Sequence, residues 1–215
     1  MELNKYIEHT NLKQDATKAE IITLLDEAKK YNFVGVCVNP CYVQFAKEYL
    51  KDFDIKVVTV VGFPLGQGTT ESKMLETIDA VEKGADEIDM VMNIGKLKDN
   101  EDGYIVNEIQ KLKYVCKGRP LKVIIETDLL SPDEIRNACE LCIQGEADYV
   151  KTSTGFVKNG VGAKAEDVKL MYETVKEAGL KVKASGGIRD KETALKMIEA
   201  GASRIGTSSG AKICE

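Results

Sequence analysis

Two lysines stand where lysine is costly. Lys151 lies inside Asp148-Tyr149-Val150-Lys151-Thr152-Ser153-Thr154-Gly155, and Lys183 inside Lys181-Val182-Lys183-Ala184-Ser185-Gly186-Gly187, thirty-two residues further on. Tyr, Val and Thr favour a strand. A strand between helical segments belongs to a parallel sheet covered on both faces. A desolvated ammonium there needs a partner or must lose its proton. Near the ends of two successive core strands, such amines suggest a Schiff base with a carbonyl substrate. Strand side chains alternate, so Lys151 shares a face with Tyr149 and Ser153, and Lys183 shares one with Lys181 and Ser185. If both point inward, one ammonium disfavours the other, and a neutral amine can act as nucleophile. The alternative is that they face outward, with stems packed and heads in solvent. Asp89, in the middle of Glu87-Ile88-Asp89-Met90-Val91-Met92-Asn93, is the third candidate. A buried carboxylate beside an amine can move protons through carbinolamine and enamine steps; it can equally be half of a structural ion pair.

Two later segments suit an anion. Ser185-Gly186-Gly187-Ile188-Arg189 and Gly206-Thr207-Ser208-Ser209-Gly210 place small and hydroxylated residues after the last two strands. Exposed backbone N–H groups and a following helix N-terminus favour phosphate; tight turns with no ligand are the alternative. His9 is the only histidine, which argues against a His-based metal site or a Ser-His-Asp triad and suits a structural hydrogen bond near a strand end. Thr10 and Cys37 also fall at strand ends and are candidates for lining a substrate pocket. Cys139-Glu-Leu-Cys142 has CxxC spacing, but it sits in a helical pattern with no second pair or nearby His, so a packing role is expected. The six cysteines are expected to be reduced, and no metal or cofactor is expected.

The elements that must hold these residues alternate. Strand patterns fall at 5–9, 34–38, 56–61, 87–91, 121–127, 148–152, 181–184 and 203–206, with helical spacing between them. Thr17-x-x-Glu20 and Ser131-Pro132-Asp133-Glu134 read as capping boxes, and Asn39-Pro40 as a similar start. Gly84, Gly118, Gly145, Gly179 and Gly201 mark helix ends. Gly84-Ala-Asp86, Gly145-Glu-Ala-Asp148 and Gly201-Ala-Ser203 echo one another as exits into strands. Eight βα units in 215 residues predict a single-domain (β/α)₈ TIM barrel over 1–215. A doubly wound sheet is the rival, but no strand is followed by GxGxxG, and Gly66-Gln-Gly68-Thr69-Thr70 lacks its last glycine. The long connections, 62–70, 93–100 and 152–164, leave strand C-terminal ends, where barrels keep their active sites. Net charge is −5 without a basic block, so no nucleic-acid partner is expected. No membrane-length apolar run or signal-peptide core is visible, so no membrane partner is expected and a cytoplasmic location is.

Val150-Lys-Thr-Ser-Thr-Gly155, Lys183-Ala-Ser-Gly-Gly-Ile-Arg189, Glu87-Ile-Asp-Met-Val-Met-Asn93, Val61-Gly-Phe-Pro-Leu-Gly66 and Arg204-Ile-Gly-Thr-Ser208 together resemble the deoxyribose-phosphate aldolase family, in order and over almost the whole chain. The resemblance implies a metal-independent class I aldolase on a (β/α)₈ barrel. It reversibly cleaves 2-deoxy-D-ribose 5-phosphate to acetaldehyde and D-glyceraldehyde 3-phosphate. By motif, Lys151 resembles the Schiff-base lysine, Lys183 its tuning and proton-relay partner, and Asp89 the relay carboxylate. Gly155, Gly186, Gly187, Ser208 and Ser209 match substrate- and phosphate-binding positions, and Thr10 and Cys37 match pocket residues. There are departures. Glu8 stands where many relatives have Asp, which alters the surroundings of the site. Phe156 stands where some have Lys, removing one phosphate contact. The chain ends at Glu215, without the longer tail ending in Tyr that assists proton transfer in some members; water held by Asp89 and Lys183 is the implied substitute. Two alternatives stay open: a lysine-dependent aldolase for another phosphorylated sugar, and a non-catalytic phosphosugar-binding barrel. A homodimer or homotetramer is compatible with either.

Overall fold

The computed structural model describes residues 2–215. Its eight strands are β1 (Ile7–Asn11), β2 (Gly35–Val38), β3 (Lys56–Val61), β4 (Glu87–Val91), β5 (Leu121–Ile124), β6 (Tyr149–Lys151), β7 (Lys181–Ser185) and β8 (Ala202–Thr207). Each pairs in parallel with the next, and β8 pairs with β1, closing a barrel in chain order. That closure excludes the doubly wound sheet, which keeps two open edges. The helices are α1 (Lys18–Tyr31), α2 (Val43–Tyr49), α3 (Thr70–Glu82), α4 (Ile94–Lys98), α5 (Asp102–Val115), α6 (Pro132–Gln144), α7 (Ala165–Val175), α8 (Lys191–Glu199) and α9 (Gly210–Cys214).

Strand alternation sorts side chains into two layers. Val36, Val57, Ile88, Val123, Val150, Val182 and Ile205 point outward and join the buried helix faces in one apolar core. Cys37, Val58 and Val60 form a separate small cluster, with Leu12 and Phe63 packed on it. The capping boxes at Thr17 and Ser131 both form, side chain to N3 backbone and N3 glutamate back to the cap. Asn39 makes no such bond; Pro40–Tyr42 is a 3₁₀ turn leading into α2.

Three local expectations shift. The first strand lies at Ile7–Asn11 rather than 5–9, because Leu3–Tyr6 forms a 3₁₀ turn that buries Leu3. The fifth ends at Ile124, because Glu126 adopts left-handed backbone at φ 54°. At the exit of α6 that conformation falls on Glu146 (φ 60°), not on Gly145. Gly145 is needed for close packing instead: a Cβ there would lie 2.6 Å from Ile109 Cγ2. Cys139 and Cys142 are buried free thiols on α6, as a packing role requires.

Candidate active site

The β6–β7 register sets Lys151 beside Lys183, and the β4–β5 register sets Asp89 beside Lys122. All four side chains enter the barrel. Asp89 is completely buried and accepts from three ammonium groups: Lys151 Nζ at 2.8 Å and Lys183 Nζ at 2.7 Å on Oδ2, and Lys122 Nζ at 2.9 Å on Oδ1. Lys183 also donates to Glu8 Oε2. Lys122 lies 2.5 Å from Glu87 Oε2 and 3.7 Å from Glu8 Oε1, which is in turn 3.7 Å from Arg204 Nε. Three carboxylates thus face three lysines, with Arg204 at the edge.

This balance is what makes the burial tolerable, since lone buried charges are strongly disfavoured. Burial alone pushes the Asp89 carboxyl up, but Lys122, Lys151 and Lys183 outweigh it and hold the group well below its ordinary 3.8. Burial likewise opposes ionisation of Glu8, and Lys122 and Lys183 outweigh it, so Glu8 titrates below 4.5. Desolvation works against the Lys183 charge, but Asp89 and Glu8 raise it above 10.5. Lys122 is raised well above 10.5 against its own desolvation, by Asp89, Glu8 and Glu87. Of the two amines first singled out, Lys183 is therefore held as an ammonium. Its stem fits because residue 206 is glycine: a Cβ there would sit 3.1 Å from Lys183 Cε.

Above this cluster opens a cavity of about 470 Å³ at the C-terminal face. Lys151 is its floor. Thr10, Gly155, Gly186, Gly187 and Ser208 line it, with Leu12, Phe156 and Arg189. Asp89 and Lys183 lie just beneath and do not line it. Gly186 (φ 86°) and Gly187 (φ 74°) turn against the loop after β6, so closely that a Cβ on Gly187 would meet Val161 O at 2.5 Å. Cys37 and Ser209 are not brought to the cavity surface. Cys37 is buried below it, and burial pushes its thiol up to about 11. Ser209 is the N-cap of α9, its N–H bonded to Thr207 Oγ1 at 2.9 Å. His9 has the hydrogen bonds expected of a residue near a strand end, Nε2 lying 2.6 Å from Glu27 Oε2 and Nδ1 3.3 Å from Thr207 O, and both His9 and Glu27 also line the cavity. Phe156 meets Phe63 edge-on at 5.2 Å, joining the loops after β3 and β6. Among the described residues, no three His, Cys, Asp or Glu side chains converge as a metal set.

Sequence reading missed Lys122 and Glu87 as parts of the cluster, although both sit within predicted strands where a charge is equally costly. It also missed Glu126, which accepts from Thr154 N at 3.0 Å and from Thr154 Oγ1, fixing the segment after Lys151. Burial raises the Glu126 carboxyl despite those bonds.

With this geometry in view, the comparisons are consistent. The DeoC/LacD family aldolase model matches residues 4–215. A deoxyribose-phosphate aldolase of Finegoldia magna is 56% identical over 215 residues, covering 100% of both chains. Deoxyribose-phosphate aldolase 1 of Staphylococcus aureus is 54% identical over 215 residues, covering 100% of this chain and 96% of the relative. The solved deoxyribose phosphate aldolase of Aeropyrum pernix, described as a tetramer, superposes with a TM-score of 0.91 at 32% identity, covering 99% of this chain and 89% of that one. A match over nearly the whole length, on a closed barrel with a lysine at the floor of its cavity, means that the chain belongs to the DeoC/LacD family of aldolases.

Proposed function

We propose that this aldolase reversibly cleaves 2-deoxy-D-ribose 5-phosphate to D-glyceraldehyde 3-phosphate and acetaldehyde, with Lys151 as the Schiff-base nucleophile. One observation carries the assignment. Of the three lysines in this cluster, Lys151 alone reaches the cavity, and it does so with its Nζ 2.8 Å from the carboxylate that also holds Lys183. In this reading, the Lys151 amine attacks C1 of the ring-opened sugar. Loss of water leaves a protonated imine; the C3 hydroxyl gives its proton to the relay, its C–O becomes the carbonyl of the departing aldehyde, and the electron pair of the breaking C2–C3 bond passes into the iminium. Glyceraldehyde 3-phosphate departs, and the remaining enamine is protonated at C2. Asp89 and the Lys183 ammonium form the relay that takes up and returns protons through water. Hydrolysis of the acetaldehyde imine regenerates Lys151.

The Gly186-Gly187 turn and Ser208 receive the phosphate, remote from the reacting bond, so binding energy serves orientation. Backbone N–H groups at glycines suit an anion because nothing shields them. A barrel that only binds a phosphosugar does not account for a buried three-lysine, three-carboxylate cluster opening at one amine. Self-association into a dimer or tetramer, after the Aeropyrum pernix relative, is read by light scattering.

The test is chemical trapping. Acetaldehyde and borohydride should convert the imine to a stable ethylated amine, and mass spectrometry should find it on Lys151. Lys151→Ala should abolish both trapping and cleavage. A label on Lys183, or on no lysine, refutes the role.

A further inference from the structure

The three hydroxyls that follow Lys151 are used differently. Thr152 Oγ1 donates to Ser185 O at 2.9 Å and accepts from Ser185 N at 2.9 Å. Thr154 Oγ1 donates to Glu126 Oε2 and accepts from Phe156 N at 3.1 Å. Both hydroxyl protons are thus committed within the protein. Ser153 Oγ is buried and has no hydrogen-bond partner among the described residues; only the Ser153 carbonyl is engaged, accepting from Ser185 Oγ at 2.6 Å.

Position separates Ser153 from the other buried atoms in the same condition. Glu8 Oε1, Glu87 Oε2 and Arg204 Nε belong to the ion cluster, and Thr127 is not part of the cavity lining. Ser153 does line it. It stands two residues beyond Lys151, which ends β6, and both residues line the cavity. It also abuts the Gly186 turn: a Cβ on Gly186 would lie 3.3 Å from Ser153 Cβ and 3.7 Å from its Oγ. The hydroxyl therefore lies against the anion turn, in a cavity whose lining also includes the nucleophilic Lys151.

We infer that Ser153 Oγ hydrogen-bonds the C4 hydroxyl of the sugar, which is the C2 hydroxyl of the glyceraldehyde phosphate formed from it. This rests on the substrate reading above. With C1 on Lys151 and the C5 phosphate on Gly186-Gly187, C4 is the carbon next to the phosphate arm, and Ser153 abuts the turn that holds that arm. A buried hydroxyl left unpaired is unfavourable, and a substrate hydroxyl supplies the missing partner. A site built this way discriminates against an analogue that lacks the hydroxyl, because binding that analogue leaves the protein group unsatisfied. Ser153 is thus a specificity-determining residue for the acceptor aldehyde.

The experiment uses the synthetic direction, with acetaldehyde as donor and two acceptors: D-glyceraldehyde 3-phosphate and 3-oxopropyl phosphate, which lacks the hydroxyl. The full-length protein is compared with Ser153→Ala and with Ser153→Cys, which keeps the size but donates weakly. Both variants should lose about tenfold or more in kcat/KM on glyceraldehyde 3-phosphate and little on 3-oxopropyl phosphate, flattening the wild-type preference. Borohydride trapping of acetaldehyde on Lys151 should be unchanged. Equal losses on both acceptors would give the hydroxyl to the phosphate or to packing and overturn the inference, as would no loss on either. Loss of trapping in both variants would overturn it too, by making Ser153 a support for Lys151. If the wild-type protein does not use glyceraldehyde 3-phosphate at all, the substrate reading itself fails, a result visible before any variant is made.

Discussion

Replacing Asp89 with Asn removes one negative charge and almost no volume, at the point where three ammonium groups meet. Lys151 and Lys183 share Oδ2 at 2.8 and 2.7 Å, and Lys122 holds Oδ1 at 2.9 Å. An asparagine cannot serve both ends, since its NH₂ is a donor and must face an ammonium whichever way the amide turns. Three lysines would then share two carboxylates, Glu8 and Glu87. Removing one partner of a buried ion pair costs about 3–5 kcal/mol, a large part of a total stability of roughly 5–15 kcal/mol. For a domain of this size, at about 2–4 °C per kcal/mol, the melting temperature should fall by roughly 6–20 °C. The pH dependence has a definite sign. Asp89 and Glu8 titrate below 3.8 and 4.5, so the folded chain stays ionised where the unfolded chain takes up protons. Their contribution is full above that range and is lost as pH falls through the folded values. The gap between wild type and variant should therefore be widest near neutrality and narrow on acidification. Loss of the relay should slow exchange of acetaldehyde methyl protons with D₂O by about 10²–10⁴-fold. Thermal melts from pH 7 to pH 3 and proton NMR in D₂O read both effects. A melting temperature within about 2 °C of wild type, together with exchange at the wild-type rate, would refute the reasoning.

Lys183→Leu should keep the fold but slow cleavage by about 10²–10⁴-fold, measured by coupled assay of glyceraldehyde 3-phosphate release. The Lys183 value is raised, so its ion pairs stabilise wild type below 10.5 and weaken as pH climbs past that point. Denaturant titrations should accordingly show the variant's deficit shrinking in strong alkali; turnover near wild type at neutral pH would remove Lys183 from the relay. Ser208→Asp, on the cavity wall, should cut kcat/KM on deoxyribose 5-phosphate by about tenfold or more through repulsion of the phosphate, with partial recovery in high salt. Activity on unphosphorylated deoxyribose should barely change, and equal losses on both sugars would dismiss the anion site.

The barrel and the pair Lys151 and Lys183 were legible because a charge inside a parallel strand has no cheap explanation. The same rule applies to Lys122, but its strand is flanked by Leu, Val and Ile, and nothing local says that its register partner is Asp89. Ion pairs in a barrel are made between strands, and strand register is a tertiary property. Cys37 and Ser209 show a related limit on what a strand position says about exposure. Position at a strand end gives height along the barrel axis, not exposure. Cys37 is at the right height but roofed by Leu12 and Phe63. Ser209 follows the turn that Thr207 Oγ1 closes and caps α9, outside the cavity lining. Glu126 escaped because left-handed backbone at a glutamate has no sequence signal, and its role as anchor for Thr154 follows from that conformation.

Depth explains why one lysine among three is the candidate nucleophile. Lys122 and Lys183 lie deeper in the barrel and are tied to two or more carboxylates each, so both are held as ammonium groups while the site is at rest. Lys151 stands at the top of the same cluster with Asp89 as its one ion-pair partner among the described residues, and it also lines the cavity. Giving up its proton leaves Asp89 still held by Lys122 and Lys183, so the cost of a neutral amine is limited by charges already in place. Had Lys151 been alone with Asp89, losing that proton would strand a buried carboxylate, a far larger penalty. The lower lysines thus let the upper one be neutral without dismantling the cluster. This argument predicts that the Asp89→Asn and Lys183→Leu substitutions should couple when combined, with a stability loss smaller than the sum of the two.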